Sequence, residues 1–260
     1  MSYILEHDKE AERLEKQSNM SNYDLHQELK GLTIRPGSRV LDAGCGSGIL
    51  SRFLYDNYRG IEIDACDISE IRVAQAKKYA QDESKKINFF TSSLDNIKTQ
   101  DNQYDLIVCR YVYEHLPSID AVSRELYRVL KPNGKIMVID ADGLIFDFYS
   151  RDERLNKMLS KVKSGIDCDL FVGRKIPSAL STAMFKNITW DIEVMKFQNK
   201  ELKAEIELNR ERFSMIKPKL EKILAPEFSA DDFISTYLDS MADEIYPSFY
   251  NKFIVTAQKV

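Results

Sequence analysis

The segment Val40-Leu41-Asp42-Ala43-Gly44-Cys45-Gly46-Ser47-Gly48 holds the residues with the most chemical content in this chain. A short apolar run ends in an acid, glycines follow at alternate positions, and an amphipathic stretch begins. Glycines so spaced let a backbone turn sharply and approach a ligand where a Cβ would clash. The first turn of a following helix offers unpaired N–H groups. A second acid, Asp67, closes the next apolar run, 19 positions after Gly48. A carboxylate there can accept hydrogen bonds from both hydroxyls of a ribose. Together the two features are the signature of a ribose-bearing cofactor, held beyond the carboxyl ends of the strands of an open α/β sheet.

Two cofactor classes share that signature. A dinucleotide site uses G-x-G-x-x-G around a pyrophosphate. This chain reads G-x-G-x-G from Gly44 to Gly48, with Asp42 two residues ahead. An acid there would repel a pyrophosphate but can serve, directly or through water, the ammonium of a methionine moiety. The spacing leans toward S-adenosylmethionine and leaves NAD(P) as the alternative. A tight strand-to-helix turn without a ligand is the bland reading of the same residues.

The remaining reactive side chains are sparse. Cys45, Cys66, Cys109 and Cys168 are far apart, and with only His7, His26 and His115 no metal-ligand cluster can be read. Free thiols, and an N-terminus without an apolar signal region, predict a reducing, cytoplasmic setting. No run approaches the roughly 20 apolar residues that span a bilayer. At 260 residues and 43% hydrophobic the chain can bury a substantial core. A net charge of −4 gives no electrostatic reason to expect nucleic acid or an anionic membrane as partner. Nothing in the pattern specifies an oligomeric state.

The elements that must position the two acids follow from periodicity. The first 30 or so residues read as helix, with Ala11, Leu14, Tyr23, Leu25 and Leu29 at helical spacings, before Gly31 and Pro36-Gly37 punctuate the chain. Strands are expected at 39–42, 61–66, 87–90, 104–109 and 135–139. The intervening helices carry Ile49, Leu50, Phe53 and Leu54, then 70–79 behind a Ser69 cap, then a stretch opened by Pro117-Ser118. Pro132-Asn133-Gly134 reads as a turn. Such alternation implies a parallel sheet built from right-handed crossovers. After Asp140 the rhythm changes to helices at about 147–164 and 174–184 and a strand at about 188–197. A charged helix, a helix at about 230–243 and a last strand around Phe253-Ile254-Val255 follow. The chain is expected to be a single domain: an N-terminal helical cap (1–35), a cofactor-binding core (36–140) and an acceptor-side half (141–260) with a helical insertion at about 198–248.

VLDAGCGSG, ACDIS, YDLIVCRYVYEHL and ELYRVLKPNGKIMVID resemble, in order and spacing, the class I S-adenosylmethionine-dependent methyltransferases. They look closest to the small-molecule group that includes the ubiquinone and menaquinone C-methyltransferases. The likeness is strong over about 36–140, with weaker echoes in E-x-x-R-L-x-x-Q, which ends at Gln17, and in Gly173-Arg174-Lys175-Ile176-Pro177. It implies a three-layer α/β sandwich on a seven-stranded, mostly parallel sheet of order 3-2-1-4-5-7-6, the last strand antiparallel. It also implies S-adenosyl-L-methionine as cofactor, S-adenosyl-L-homocysteine as product, and SN2 methyl transfer to a small organic molecule. By the same resemblance Asp42, Gly44, Cys45 and Gly46 would line the methionine end. Asp67 would bind the ribose, Ile68 would pack on the adenine, and Ser93 and Leu94 would sit at its edge, where many members carry an acid in place of Ser93. Cys109 and Arg110 would lie near the sulfonium, and the N-terminal helix would bring Tyr3 and Gln17 over the cofactor.

For the acceptor side the sequence offers candidates rather than a constellation. His115 is the one histidine near the expected site, and a pocket-lining role suits it better than that of a general base. Tyr111 and Tyr113 could orient an acceptor or simply pack. Of Asp140 and Asp142, one could face the pocket and the other cap a turn. Phe146, Phe148, Tyr149, Phe213 and Tyr237 are apolar enough to line it, although at helical spacing such residues are more often core. His7 and His26 read as surface residues. No N-P-P-Y-type tetrapeptide of amino-group nucleic-acid methyltransferases follows the fourth strand, where Arg110-Tyr111-Val112-Tyr113 stands. A cofactor-binding module without catalysis and an NAD(P)-dependent oxidoreductase remain the alternatives.

Overall fold

A computed structural model describes residues 10–143, 149–243, 245 and 247–260. Strands β1 (Arg39–Ala43), β2 (Glu62–Asp67), β3 (Asn88–Thr91), β4 (Tyr104–Arg110), β5 (Leu130–Asp142), β6 (Lys186–Phe197) and β7 (Ser248–Gln258) form one sheet. Its order is β3-β2-β1-β4-β5-β7-β6. The first five strands are parallel, and β7 runs antiparallel to both β5 and β6. The expected topology is therefore present. The order reverses between β1 and β4, and there the carboxyl ends of neighbouring strands part to leave a crevice.

Strand alternation sorts the core onto two faces. Val40, Ile63, Leu106, Val108, Met137 and Ile139 pack with Leu50 and Leu54 of α3 (Ile49–Asn57) and with Leu25 and Leu29. Ala65 continues that face under Val73, Ala76 and Ala80 of α4 (Glu70–Asp82). On the opposite face Leu41, Ile107, Ile136 and Val138 meet Val122, Leu126 and Val129 of α5 (Ile119–Val129). Ile176 and Leu180 of α7 (Ile176–Thr182) complete that layer. Ser69 caps α4 by accepting from the Arg72 amide, and Ser118 caps α5 by accepting from the Ala121 amide.

Several sequence expectations need adjustment. Residues 10–28 do not form one continuous helix: α1 (Glu10–Ser18) gives way to a short 3₁₀ turn (Ser21–Tyr23) and then to α2 (Leu25–Glu28). Pro132-Asn133-Gly134, expected as a turn ahead of the fifth strand, lies within β5 with Asn133 at φ +64°, and there the register against β4 jumps from Tyr104–Leu130 to Leu106–Lys135. β7 is also much longer than the triplet Phe253–Val255, because it pairs along its length with strands on both sides.

The insertion between β6 and β7 is helical, comprising α8 (Asn199–Leu224) and α9 (Ala230–Ala242), and it packs with α6 (Glu153–Gly165). Leu155, Met158 and Val162 of α6, Ile216 and Leu220 of α8 and Phe233 of α9 share a core of their own beyond the β5–β7–β6 strand ends. Phe213 and Tyr237 belong to that core, their rings 5.2 Å apart and edge-on. They do not line the cavity described below, so the simple-core reading holds for both. Tyr149 is largely exposed, and Phe146 and Phe148 lie outside the described residues.

Candidate cofactor and acceptor site

The crevice at the β1/β4 ends opens into a cavity of about 1060 Å³ that continues beneath α8. On one side it is walled by the β1–α3 loop, the end of β2 and the segment after β3. On the other it is walled by α1, α8 and the loop that joins α6 to α7.

The glycine loop is built for close approach. Gly44 adopts φ +80°, and a Cβ on it would lie 2.4 Å from Val112 Cγ2. Its amide and that of Cys45 both donate to the Cys66 carbonyl, which folds the loop over the end of β2. Gly46 adopts φ +51°, and a Cβ there would meet nothing within 4 Å. Gly46 itself lines the cavity. The loop thus keeps clear a cradle that a side chain at position 46 would fill.

Asp42 is buried at the end of β1 and accepts a 2.5 Å hydrogen bond from Ser51 Oγ. Burial pushes its carboxyl up to about 7, with nearby Asp67 adding to the rise. Asp67 takes two backbone amides at 2.9 Å, Gly46 N on Oδ2 and Ser69 N on Oδ1. These bonds aim the carboxylate at the loop and leave lone pairs on both oxygens for a ligand. Both acids line the cavity, as do Gly44, Cys45, Gly46, Ile68, Ser93, Leu94, Arg110 and Gln17. Ile68 is 58% exposed on that wall, an apolar platform suited to a planar ring. Burial raises the Cys45 thiol well above its ordinary range, so it lies there as a neutral group.

Other candidates fall elsewhere. Cys109 points into the sheet core with Ile107 and Val138 and does not reach the cavity, because at its place in β4 alternation turns it away. Arg110 does line the cavity, but its guanidinium is engaged by Glu28 of α2 at 2.5 and 3.2 Å. Tyr3 lies outside the described residues. Neither Asp140 nor Asp142 faces the cavity. Asp140 accepts from the amides of Val112, Tyr113 and Ala141 at 2.7–3.0 Å, fixing the loop after β4. Asp142 is held by the Arg174 amide and guanidinium at 2.5–3.0 Å. Tyr113 is core, its hydroxyl against Ser123 Oγ, whereas Tyr111 lines the cavity. His115 lines it too, with Nε2 at 3.5 Å from Glu114 Oε1. His26 is exposed and sits edge-on to Phe53, and His7 lies outside the described residues.

Among the cavity residues that escaped the sequence reading, two acids bear on the site. Asp95 accepts a 2.5 Å bond from Ser93 Oγ, so an acid does stand at this corner, two positions beyond the expected one. Glu205 on α8 is buried against the same cavity. In the sequence it sits in a charge-rich helix and looks solvated. Its helical phase with Leu202 and Leu208, both buried, was the available signal.

Residues 40–134 match a family model described as a methyltransferase domain. A sterol 24-C-methyltransferase of Gibberella zeae is 32% identical over 130 residues, which cover 49% of this chain and 33% of that protein. A ubiquinone biosynthesis O-methyltransferase of Xanthomonas oryzae is 31% identical over 103 residues, 39% of this chain and 42% of that one. The chain thus spans between a third and about two fifths of the length of these curated relatives. Among solved structures, the fold resembles a Haemonchus contortus phosphoethanolamine N-methyltransferase 2 complex. That likeness has a TM-score of 0.65 and 19% identity over 100% of this chain and 61% of that one. A Bacillus YcgJ protein resembles it with a TM-score of 0.58 at 17% identity, covering 90% and 98%. Over residues 40–134, therefore, the chain is similar to methyltransferase domains, and its fold as a whole is similar to that of solved methyltransferases.

Proposed function

We propose that the chain is an S-adenosylmethionine-dependent methyltransferase acting on a small organic acceptor. The observation that carries this is the shared wall of Asp42, the Gly44–Gly46 loop and Asp67, opening into one cavity with a second, acceptor-side half. Three features fit an adenosyl sulfonium: a buried acid for an ammonium, an amide-aimed acid for ribose hydroxyls, and an apolar platform at Ile68 beside Ser93 and Asp95 for an adenine. S-adenosylmethionine supplies a methyl group whose bond to sulfur breaks, the electron pair staying on sulfur, as the acceptor's lone pair forms the new bond.

The chain's own residues contribute position and dryness. The bonds from Asp140 to the Val112 and Tyr113 amides set the loop after β4 against the glycine loop, where Val112 already touches the space above Gly44. Helices α1 and α8 cover the cavity from the side opposite the sheet. Enclosure of that kind holds two reactants together and excludes water, which can supply much of the acceleration of a displacement that needs no metal or acid. Glu114 and His115 line the cavity as a carboxylate–imidazole pair 3.5 Å apart.

Calorimetric titration of the full chain with S-adenosylhomocysteine, and transfer of a labelled methyl group to a small-molecule extract, test the reading. Micromolar binding with label in a low-molecular-weight product is expected. No affinity for the sulfonium or its demethylated product would overturn it.

A further inference from the structure

The acceptor-side half of the cavity has an unusual wall. Glu205, 1% exposed, lines the cavity together with Tyr23, Tyr111 and Tyr250. Oε1 accepts from Asn209 Nδ2 at 3.0 Å, whereas Oε2 is buried without a hydrogen-bond partner among the described residues. Arg212 comes no nearer than 4.0 Å and spends a hydrogen bond on Asn209 Oδ1 at 2.8 Å. It favours the ionised carboxylate but does not cap Oε2. The Tyr111 hydroxyl is likewise buried and unpartnered. Tyr111 also holds φ +54°, a left-handed backbone that costs a bulky residue energy and that concentrates at functional sites.

Buried carboxylate oxygens are seldom left unused, because desolvation without a partner is costly. Resting on the methyl-transfer reading above, we propose that Glu205 and the three tyrosines form the subsite for the cationic end of an amine-bearing methyl acceptor. An ammonium satisfies Oε2 with charge as well as a donor, and Tyr111 Oη can accept from it. The aromatic walls favour a cation further: Tyr23 and Tyr111 stand edge-to-face at 5.9 Å, and the Tyr23 and Tyr250 hydroxyls are 2.6 Å apart. Arg212 and Arg13 act on the carboxylate from a distance, so a neutral hydroxyl would supply Oε2 with a hydrogen bond alone, whereas an ammonium adds charge at the atom itself. Tyr111 follows Arg110 directly at the end of β4, so the subsite adjoins the loop that faces the glycine cradle.

The test uses the full chain saturated with S-adenosylhomocysteine. Tyramine and N,N-dimethylethanolamine are titrated by calorimetry beside their neutral counterparts 4-ethylphenol and 3-methylbutan-1-ol. At least tenfold tighter binding of an amine than of its counterpart is expected. Glu205→Gln should erase that preference while leaving S-adenosylhomocysteine affinity within twofold, and Tyr111→Phe should weaken amine binding by a smaller factor. Equal binding of amine and neutral probe, no saturable binding of either amine, or an undiminished preference in Glu205→Gln would overturn the proposal. If Glu205→Gln does not fold, the wild-type preference and Tyr111→Phe decide it. Failure of S-adenosylhomocysteine to bind would strike the methyl-transfer reading instead, and the amine comparison, run without it, still decides this one.

Discussion

Arg110 at the end of β4 and Glu28 of α2 form a buried two-point ion pair, Nε to Oε2 at 2.5 Å and Nη2 to Oε1 at 3.2 Å. Lys252 of β7 reaches the same Oε1 at 2.9 Å, so one carboxylate binds the N-terminal segment to two strands of the sheet. The arginine that sequence resemblance places beside a sulfonium therefore also anchors the cover of the cavity. Removing the carboxylate takes away the ion-pair partner of the buried Arg110 guanidinium and leaves Lys252 to pair with Glu193, a loss of about 3–5 kcal/mol for a broken buried pair. Glu28→Ala should lower the melting temperature sharply, as followed by circular dichroism. It should also make the 10–30 segment the first site of limited proteolysis. An unchanged melting temperature would refute this.

The two cradle glycines should respond differently. Gly44→Ala puts a methyl group 2.4 Å from Val112 and should destabilise the fold. Gly46→Ala meets no protein atom and should cost only the roughly 1–2 kcal/mol of a left-handed backbone. It should nevertheless weaken S-adenosylhomocysteine binding at least tenfold, because its methyl occupies the cradle. Thermal unfolding and calorimetry on the same two variants separate the effects. Equal affinity in Gly46→Ala and wild type would count against the cradle.

Asp42 should make both stability and affinity depend on pH. Its carboxyl is raised to about 7 by burial, so between the ordinary carboxylate range and pH 7 the folded chain holds a proton that the unfolded chain has released. Stability of the unliganded protein should therefore fall as pH rises through that window, by at most about 1.4 kcal/mol per unit from this group. An ammonium prefers the ionised form, so S-adenosylhomocysteine affinity should climb over pH 5.5–7 and level off above. Asp42→Asn should flatten both profiles. A wild-type affinity that is flat across the window would exclude this role for Asp42.

Asp95 offers a milder test. It is reached by Ser93 Oγ at 2.5 Å on the cavity wall and supplies the acid expected at position 93. Asp95→Ala should reduce S-adenosylhomocysteine affinity about three- to tenfold while leaving the melting temperature within about a degree, in keeping with a surface substitution. A large thermal shift would make it a fold residue instead.

That Asp42, the glycine loop and Asp67 share one cavity wall was legible in the sequence because its physics is local. An acid, alternate glycines and a second acid lie within 26 residues, and strand periodicity puts them at one edge. Cys109 was misplaced because a one-residue step along β4 reverses the face, and proximity to the motif in sequence says nothing about which way a thiol points. Asp140 and Asp142 were ambiguous because their partners, the Val112 and Tyr113 amides and Arg174, come from other elements. Glu205 was invisible for a similar reason. Only the docking of α8 over Tyr23 and Tyr250 turns a residue of a charged helix into part of a buried wall.

Among the described residues β6 pairs with no strand but β7, and the two run antiparallel with α8 and α9 in the connection between them. That unit is a self-paired hairpin clipped onto the margin of β5, and it carries Glu205 and Tyr250 along with it. Replacing residues 198–247 would therefore exchange the Glu205 wall of the cavity while Tyr250 stays in β7 and the five strands that shape the glycine cradle keep their sequence.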